Sequence, residues 1–273
     1  MIVIDVCTDE GRPPGAIPFV VGVYPFGLLA ARRPPRLPVA DRADVFVLGM
    51  YPSALHVRWH RPGARPIAAL AVDDEPGRSL SGQHRADRVA LWRERVGWRR
   101  EWGTATAAGP GAGPGRLVVT DILEPLGLDP RAAYLTDCVP TYFVKAGERQ
   151  DQAIRAYDEF AATAGLPASS LRRRPPKPEL VHLAIRAEGA ELLRQLRESD
   201  APTVVTLGKG AADVFAALTG TDRVPFRLTG DYGTPRLVPL GGRELRWYPL
   251  VHPGVHRHVG WRNCHARWVL SQH

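Results

Sequence analysis

Short apolar runs that alternate with helical stretches constrain the fold of this chain most strongly. Runs that stop at a glycine or a polar residue are typical of strands buried on both faces of a parallel sheet. They span residues 44–49, 66–72, 133–139, 202–208 and 247–251. Helices are predicted at about 85–102, 151–164, 178–198 and 209–218, and after residue 254. The alternation predicts an α/β fold: a three-layer α/β/α sandwich with a central, mostly parallel sheet of four to five strands.

Other segments depart from this alternation. Residues 1–43 are rich in proline and arginine, and we interpret them as an N-terminal arm before one α/β domain over residues 44–273. Residues 103–115 read as a glycine-, alanine- and proline-rich loop, and residues 225–246 as a hairpin. The basic run 172–178 is stiffened by prolines, and we interpret it as a solvated connector.

Charge and cysteine content limit the classes of function. The net charge of +8 fits a polyanionic partner such as DNA, although only three of the 36 basic residues are lysine, as a GC-rich genome also produces. Three cysteines without paired spacing indicate a reducing cytoplasm and exclude a four-cysteine iron–sulfur cluster. No apolar run has the length of a membrane span, and no secretion signal is apparent. A cytoplasmic protein without membrane contacts is therefore expected.

Three predicted strands end in segments with chemically useful side chains. These are Gly49-Met50-Tyr51-Pro52-Ser53, Thr136-Asp137-Cys138 and Val251-His252-Pro253-Gly254. In open parallel sheets, ligands bind outside the carboxyl ends of the strands. The sequence therefore predicts one site formed by the three segments.

Taken in order, these segments resemble the uracil-DNA glycosylase superfamily over about residues 44–271. Gly49–Ser53 is similar to its Gly-x-x-Pro loop, and Asp137 stands where a middle strand ends in a base-reading asparagine. Leu207–Ala211 is similar to its Leu-Gly-x-x-Ala turn, and His252–Gly254 to its His-Pro-Ser loop. The resemblance implies a monofunctional enzyme, without metal or cofactor, that flips a base out of DNA and hydrolyses its N-glycosidic bond. We expect a monomer with DNA as its partner.

The resemblance also implies roles for individual residues. His252 would donate a hydrogen bond to the base O2 as negative charge develops there. The substrate-binding residues would be Gly49, Met50, Pro52, Ser53, Pro253 and Gly254. His256 matches the residue that enters the vacated stack, and His258 lies beside it at the mouth of the site. Independently of the resemblance, electrostatics predicts phosphate contacts from Arg257 and from the arginines near Arg58 and Arg61.

The first motif departs from the family. Tyr51 stands where some relatives carry the water-activating aspartate, and a phenol with a pKa of about 10 is a poor base at neutral pH. The acids Asp73-Asp74-Glu75 follow the second strand, and one of them, Asp73 foremost, is expected to orient water unless the trio is an ordinary acidic turn. Tyr51 or Trp59 would stack on the flipped base, or either belongs to the core.

Asp137 is the sharpest departure. An ionised aspartate only accepts hydrogen bonds, and the cytosine N4 amino group is a donor. Asp137 therefore favours a cytosine-like base, and sparing ordinary cytosine requires a further mark such as a bulky 5-substituent. Bacteriophage DNA carries such bases, so the hypothesis is a defence glycosylase. The alternatives for Asp137 are a structural acid at a strand end or an alignment shifted by one residue.

Other functions remain open from the sequence. They are a uracil or deaminated-base repair glycosylase, a catalytically idle DNA-binding member of the superfamily, and a small-molecule hydrolase or nucleotide-binding α/β protein. Neither a Walker sequence nor a Rossmann Gly-x-Gly-x-x-Gly occurs at a strand-to-helix turn, which argues against a nucleotide cofactor. Ser53 does not lie in a Gly-x-Ser-x-Gly nucleophile elbow.

Overall fold

The structure of the protein is a computed structural model that describes residues 20–40, 42–75, 85–108, 114–228, 232–255 and 258–272. Its strands are β1 (Val20–Val23), β2 (Leu29–Ala31), β3 (Val45–Gly49), β4 (Ala54–His60), β5 (Ile67–Asp74), β6 (Thr104–Ala107), β7 (Ala133–Asp137), β8 (Thr203–Leu207), β9 (Arg236–Leu240) and β10 (Arg243–Leu250). Its α-helices are α1 (Arg85–Arg95), α2 (Pro114–Val118), α3 (Glu148–Ala164), α4 (Lys177–Leu183), α5 (Gly189–Glu198), α6 (Lys209–Thr219) and α7 (Val259–Leu270). None of these helices combines the length and apolar composition needed to cross a membrane.

A central, mostly parallel sheet of five strands confirms the predicted α/β class. Its strand order is β7-β3-β8-β10-β9. Strand β3 pairs in parallel with β7 and β8, β10 pairs in parallel with β8, and the edge strand β9 is antiparallel to β10. Of the strands of this sheet that come after β3 in the sequence, β7 lies on one side of β3, and β8, β10 and β9 lie on the other. The direction in which strands are added therefore reverses between β3 and β8. Such a reversal opens a crevice at the carboxyl ends of the strands.

The apolar strands of this sheet bury alternate residues in two different clusters. Phe46 and Leu48 of β3 pack in a cluster with residues of α4, α5 and α6. Val45 and Val47 pack in another cluster with Val118, Ile122 and Trp268, which come from α2, the π-helical turn after it and α7. Burial of both sets of residues explains why the strands read as continuous apolar runs rather than as alternating ones.

A second sheet, with the order β5-β4-β6, is antiparallel throughout. Residues 66–72 therefore belong to a strand, as predicted, but not to the central sheet. The connection between β4 and β5 is a few residues long, which allows a hairpin and excludes a parallel crossover. Strand β6 lies in the segment predicted as a loop, and residues 109–113 of that segment are outside the described residues.

An aromatic cluster joins the second sheet to the described part of the N-terminal arm. The rings of Trp59, Trp92, Trp98, Trp102, Tyr157 and Phe160 lie 4.9–6.5 Å from the ring of Phe26. The Phe26 amide also donates a hydrogen bond to the Tyr157 hydroxyl at 2.7 Å. Residues around Phe26 therefore contribute to a buried core.

Two predicted helices differ in extent from the observed ones. Helix α1 ends at Arg95 and is therefore shorter than the helix predicted over 85–102. Gly97, just after its end, has a φ of 59°, in the left-handed region that is typical of the end of a helix. The predicted helix 178–198 is confirmed in position, but a π-helical segment, Ala184–Glu188, separates α4 from α5.

Candidate functional site at the carboxyl edge of the central sheet

Four neighbouring strands bring the predicted motifs to one edge of the central sheet. In spatial order the chain leaves them at Asp137, Gly49, Gly208 and His252, following β7, β3, β8 and β10. Adjacent strands lie about 4.8 Å apart, so β7 and β10, which are separated by two other strands, lie roughly 14 Å apart. Because the two strands between them lead into glycines, Gly49 and Gly208 add no side chain of their own to the edge between Asp137 and His252, which we name the gap.

Gly49 is required by the position of the Asp137 side chain. The two residues are direct partners in the parallel pairing of β3 with β7. A Cβ on Gly49 would lie 2.1 Å from Asp137 Oδ1, which is closer than any real contact. Asp137 is only 6 % exposed. Backbone hydrogen bonds from Cys138 to the Gly49 carbonyl oxygen (2.8 Å) and from Val139 to the Met50 carbonyl oxygen (3.0 Å) continue the pairing, so the two segments form one unit.

Gly208 fixes the opposite side of the gap. Its φ of 90° is in the region that favours glycine, and its amide donates to the Leu250 carbonyl oxygen at 2.6 Å. A Cβ on Gly208 would lie 3.7 Å from the Cβ of His252. The turn from β8 into α6 is therefore in contact with the histidine that follows β10.

The hydrogen bonding of His252 defines its tautomer. The Gly254 amide donates to His252 Nδ1 at 3.0 Å. Since Nδ1 acts as the acceptor, the proton of the neutral imidazole is on Nε2. The His252 carbonyl oxygen accepts from the Val255 amide at 2.9 Å, and the side chain is exposed. The loop therefore presents an imidazole whose Nε2 is a hydrogen-bond donor.

The loop after β3 is held by contacts on several sides. Tyr51 packs edge-to-face on Phe143, with ring centroids 5.8 Å apart, and Arg174 Nη1 lies 3.4 Å from its hydroxyl oxygen. A Cβ on Gly210, near the start of α6, would lie 2.9 Å from Met50 Sδ. Pro52 is buried. The predicted loop residues thus lie at the carboxyl edge, with Tyr51 between Phe143 and Arg174.

The acidic trio at the end of β5 is divided among different partners. Asp73 accepts from Arg95 of α1 at 2.7 Å, and Asp74 pairs with Arg33 at 3.2 Å. Glu75 accepts from Arg88 Nη1 at 3.1 Å and from the Ser53 hydroxyl. Asp73, which was expected to orient water, is therefore held against α1. Glu75 is the acid that contacts the loop after β3.

Trp59, predicted as a possible stacking residue, lies in the core. Its side chain is 1 % exposed, and its Nε1 donates to the Trp102 carbonyl oxygen at 2.7 Å. The Arg61 guanidinium lies 5.0 Å from its ring centroid and covers it. Because β4 alternates buried and exposed residues, Trp59 points into the aromatic cluster while Arg58 faces solvent.

The remaining predicted residues follow β10. Pro253 is buried and Gly254 is exposed. His258 is an exposed residue at the start of α7, and its amide donates to the Val255 carbonyl oxygen at 3.0 Å. His256 and Arg257 lie outside the described residues.

A polar cavity beside Glu75 was not predicted from the sequence. It has a volume of about 370 Å³ and is lined by His56, Arg58, Glu75 and Arg85, together with Leu55 and four alanines. Burial lowers the pKa of His56, and its Nδ1 lies 2.8 Å from the Ala54 carbonyl oxygen. In the sequence, His56 and Arg58 alternate with apolar residues, a pattern that predicts a strand with one polar face on which such a cavity could lie.

Arg88 was also missed by sequence reasoning. It is 6 % exposed, and its Nε and Nη2 atoms have no hydrogen-bond partner among the described residues. A basic residue in an arginine-rich helix gave no indication of burial. Its ion pair with Glu75 holds that carboxylate close to the Ser53 loop.

Within the described ranges, no three histidine, cysteine, aspartate or glutamate side chains are grouped so as to hold a metal ion. Comparison with known proteins finds no matching family model and no curated protein of similar sequence. Any function for the chain therefore has to be inferred from the chemistry of its own residues.

The buried carboxyl of Asp73 gives stability a defined pH dependence. Burial raises the pKa of Asp73 from 3.8 to about 6, although Arg95 lowers it. The folded chain thus binds this proton more tightly than the unfolded chain, and the resulting stability is present below about pH 4 and lost as the pH rises through about 6. From pH 4 to pH 7, the stability of Asp73→Asn relative to the parent should therefore rise by about 2 kcal/mol in urea unfolding.

Arg95→Gln serves as the control for this prediction. Because Arg95 lowers the pKa of Asp73, its removal should move the pH-dependent loss of stability to higher pH. A stability difference between Asp73→Asn and the parent that stays constant from pH 4 to pH 7 would contradict the assignment.

Proposed function

We propose that the chain is a monofunctional DNA glycosylase of the uracil-DNA glycosylase superfamily, built as a three-layer α/β/α sandwich. The observation that carries the proposal is the arrangement of two polar side chains at the carboxyl edge, on either side of Gly49 and Gly208. A buried carboxyl, Asp137, flanks the gap on one side, and an imidazole with its proton on Nε2, His252, flanks it on the other. A flipped base is read by hydrogen bonds to its edges, and a polar group on each side would supply them.

The proposed reaction uses the two flanking groups for different tasks. Asp137 would accept hydrogen bonds from the edge of the flipped base and so select it. His252 Nε2–H would donate to the base O2 as the bond between the base and C1′ breaks and negative charge moves onto the base. Water then supplies hydroxide to C1′, and its proton passes by way of a carboxylate to the departing base. The products are the free base and an abasic site.

Glu75 is the acid best positioned to hold that water. Its carboxylate contacts Ser53 of the loop after β3 and is oriented by the buried Arg88. Tyr51 occupies the motif position of the acid in some relatives, and its contacts with Phe143 and Arg174 suit a side chain that supports the base. We therefore assign water positioning to Glu75 rather than to Tyr51 or Asp73.

The proposed substrate is a cytosine-like base with a 5-substituent. The carboxylate of Asp137 matches the N4 amino group of cytosine and repels the O4 of uracil. The substituent would distinguish the target from ordinary cytosine, and modified phage DNA would supply it, so the biological role would be antiviral defence.

A second candidate is a DNA-binding member of the superfamily without catalytic activity. It is favoured by Tyr51, which replaces an acid in the first motif and is held in place by two neighbours. Formation of abasic sites separates the two candidates. The parent would be incubated with duplexes that contain 5-substituted cytosines, uracil or hypoxanthine and then treated with mild alkali. Cleavage supports the glycosylase, and binding without cleavage of any duplex supports the second candidate.

Replacement of His252 tests the proposed stabilisation of the leaving base. His252→Ala should lower the single-turnover rate on a cleaved duplex by about 10²–10³, by analogy with the loss of one oxyanion donor. His182→Ala is a matched control, because this exposed histidine lies on α4. An unchanged rate in His252→Ala would remove His252 from the proposed mechanism.

Replacement of Glu75 tests the proposed water-holding acid. Glu75→Gln keeps an oxygen that accepts from Ser53 but cannot take a proton from water, and general-base catalysis typically contributes about 10²–10⁴ in rate. The single-turnover rate of the variant should fall by that factor, while its affinity for an uncleaved duplex should equal that of the parent. A variant that is less stable but cleaves at the parent rate would assign Glu75 a structural role.

Replacement of Asp137 tests the proposed choice of base. Asp137→Asn should reduce cleavage of the modified cytosine and open cleavage of uracil, since an amide donates to O4 while a carboxylate repels it. A mismatched buried hydrogen bond costs about 1–3 kcal/mol, which corresponds to roughly 5- to 150-fold in discrimination. A parent that cleaves uracil efficiently and spares every modified cytosine would refute the assignment.

A further inference from the structure

The basic, proline-containing connector between α3 and α4 has exposed basic side chains, as predicted, but its backbone is fixed by pairing with Val144. The Val144 amide donates to the Arg172 carbonyl oxygen at 2.9 Å, and the Arg174 amide donates to the Val144 carbonyl oxygen at 2.8 Å. These bonds form a parallel bridge between Val144 and Arg173. Lys145 directly follows Val144, so its charge adds to those of the bridged segment.

This segment lies beside the candidate site. Arg174 Nη1 is 3.4 Å from the hydroxyl of Tyr51, in the loop after β3. A Cβ on Gly210 would lie 2.9 Å from Met50 Sδ and 3.9 Å from Lys177 Cε. Lys177 and Arg174 therefore flank the loop after β3 and the start of α6, above the two central strands of the sheet.

Four side chains, Lys145, Arg172, Arg174 and Lys177, form what we name the basic ridge, and all four are exposed. The neighbouring Arg173 pairs with Asp151 at 3.0 Å, whereas the ion pairs found within the described residues include none of the four. The prolines at positions 175, 176 and 178 restrict the backbone of the segment. The ridge thus holds four positive charges on a stiff support.

The distribution of lysine also singles out this edge of the sheet. Only three of the 36 basic residues are lysine. Lys145 and Lys177 belong to the ridge, and Lys209 follows Gly208 at the gap, where it pairs with Asp213 at 2.8 Å. Lysine carries a compact charge on a flexible stem, which suits a point contact with a phosphate group.

We propose that the basic ridge binds the phosphodiester backbone of the DNA strand that passes over the α4 and α6 side of the site. This inference rests on the proposed function, and it adds the surface that holds the strand while a base is in the gap. Backbone contacts position a protein on DNA without reading its sequence. The ridge should therefore contribute equally to the binding of DNA with and without the target base.

The test compares two triple variants with the same change in charge. The ridge variant carries Lys145→Gln, Arg172→Gln and Lys177→Gln. The control carries Arg194→Gln, Arg197→Gln and Arg246→Gln, whose residues are exposed and lie on α5 and near the amino end of the parallel strands. Fluorescence anisotropy would measure the affinity of each protein for one duplex with a 5-substituted cytosine and for the matched duplex with cytosine, over a range of salt concentrations.

For the ridge variant, the slope of log affinity against log salt concentration should decrease in magnitude by about 0.9 for each phosphate contact removed. Its affinity near 0.1 M salt should fall on the order of 10²-fold, and both changes should be the same on the two duplexes. The control should bind as the parent does. A salt slope equal in ridge variant and parent would overturn the ridge and leave the glycosylase proposal standing. A parent that binds neither duplex at low salt would overturn both. A loss confined to the modified duplex would also overturn the ridge, because it would reflect contacts to the base.

Discussion

The parallel register of β3 with β7 and β8 is the constraint on which the candidate site depends. It places Gly49 opposite Asp137 and Leu48 opposite both Thr136 and Thr206. A slip of one residue would reverse the faces of every side chain in a strand that is buried on both sides. Thr136 or Cys138 would then lie opposite Gly49, and the carboxyl would leave the gap. The apolar core thus fixes the position of the polar group.

The sequence predicted the central strands well because they are buried on both faces and read as apolar runs. The same criterion failed for β4, in which Leu55, Val57 and Trp59 alternate with His56, Arg58 and His60. Such alternation is typical of a strand with one buried face, and reading it with period two would have predicted the second sheet and the burial of Trp59. Strand β6 consists only of threonine and alanine, and its assignment depends on pairing with β4.

The acid nearest the loop could not be chosen from the sequence, because the choice depends on two other elements. Asp73, in β5, and Glu75, one residue beyond its end, both face α1, as residues two apart do along an extended chain. Arg88 and Arg95 lie two turns apart on one face of α1 and meet one acid each. Pairing of Ala54 with Asp74 then brings Ser53 next to Glu75. The trio was visible in the sequence, but the division of its partners follows from the packing of α1 on the second sheet.

Asp137 and His252 differ in burial, and this difference has a consequence for the proposed chemistry. Asp137 is buried, whereas the His252 side chain is exposed and carries its proton on Nε2. A hydrogen bond to developing charge is weak in water and strong in a low-dielectric site. In the proposed mechanism, His252 becomes effective only when DNA covers the gap. Binding energy from backbone contacts far from the reacting bond, such as those proposed for the basic ridge, would then be used to exclude water at His252 and not only to hold the substrate.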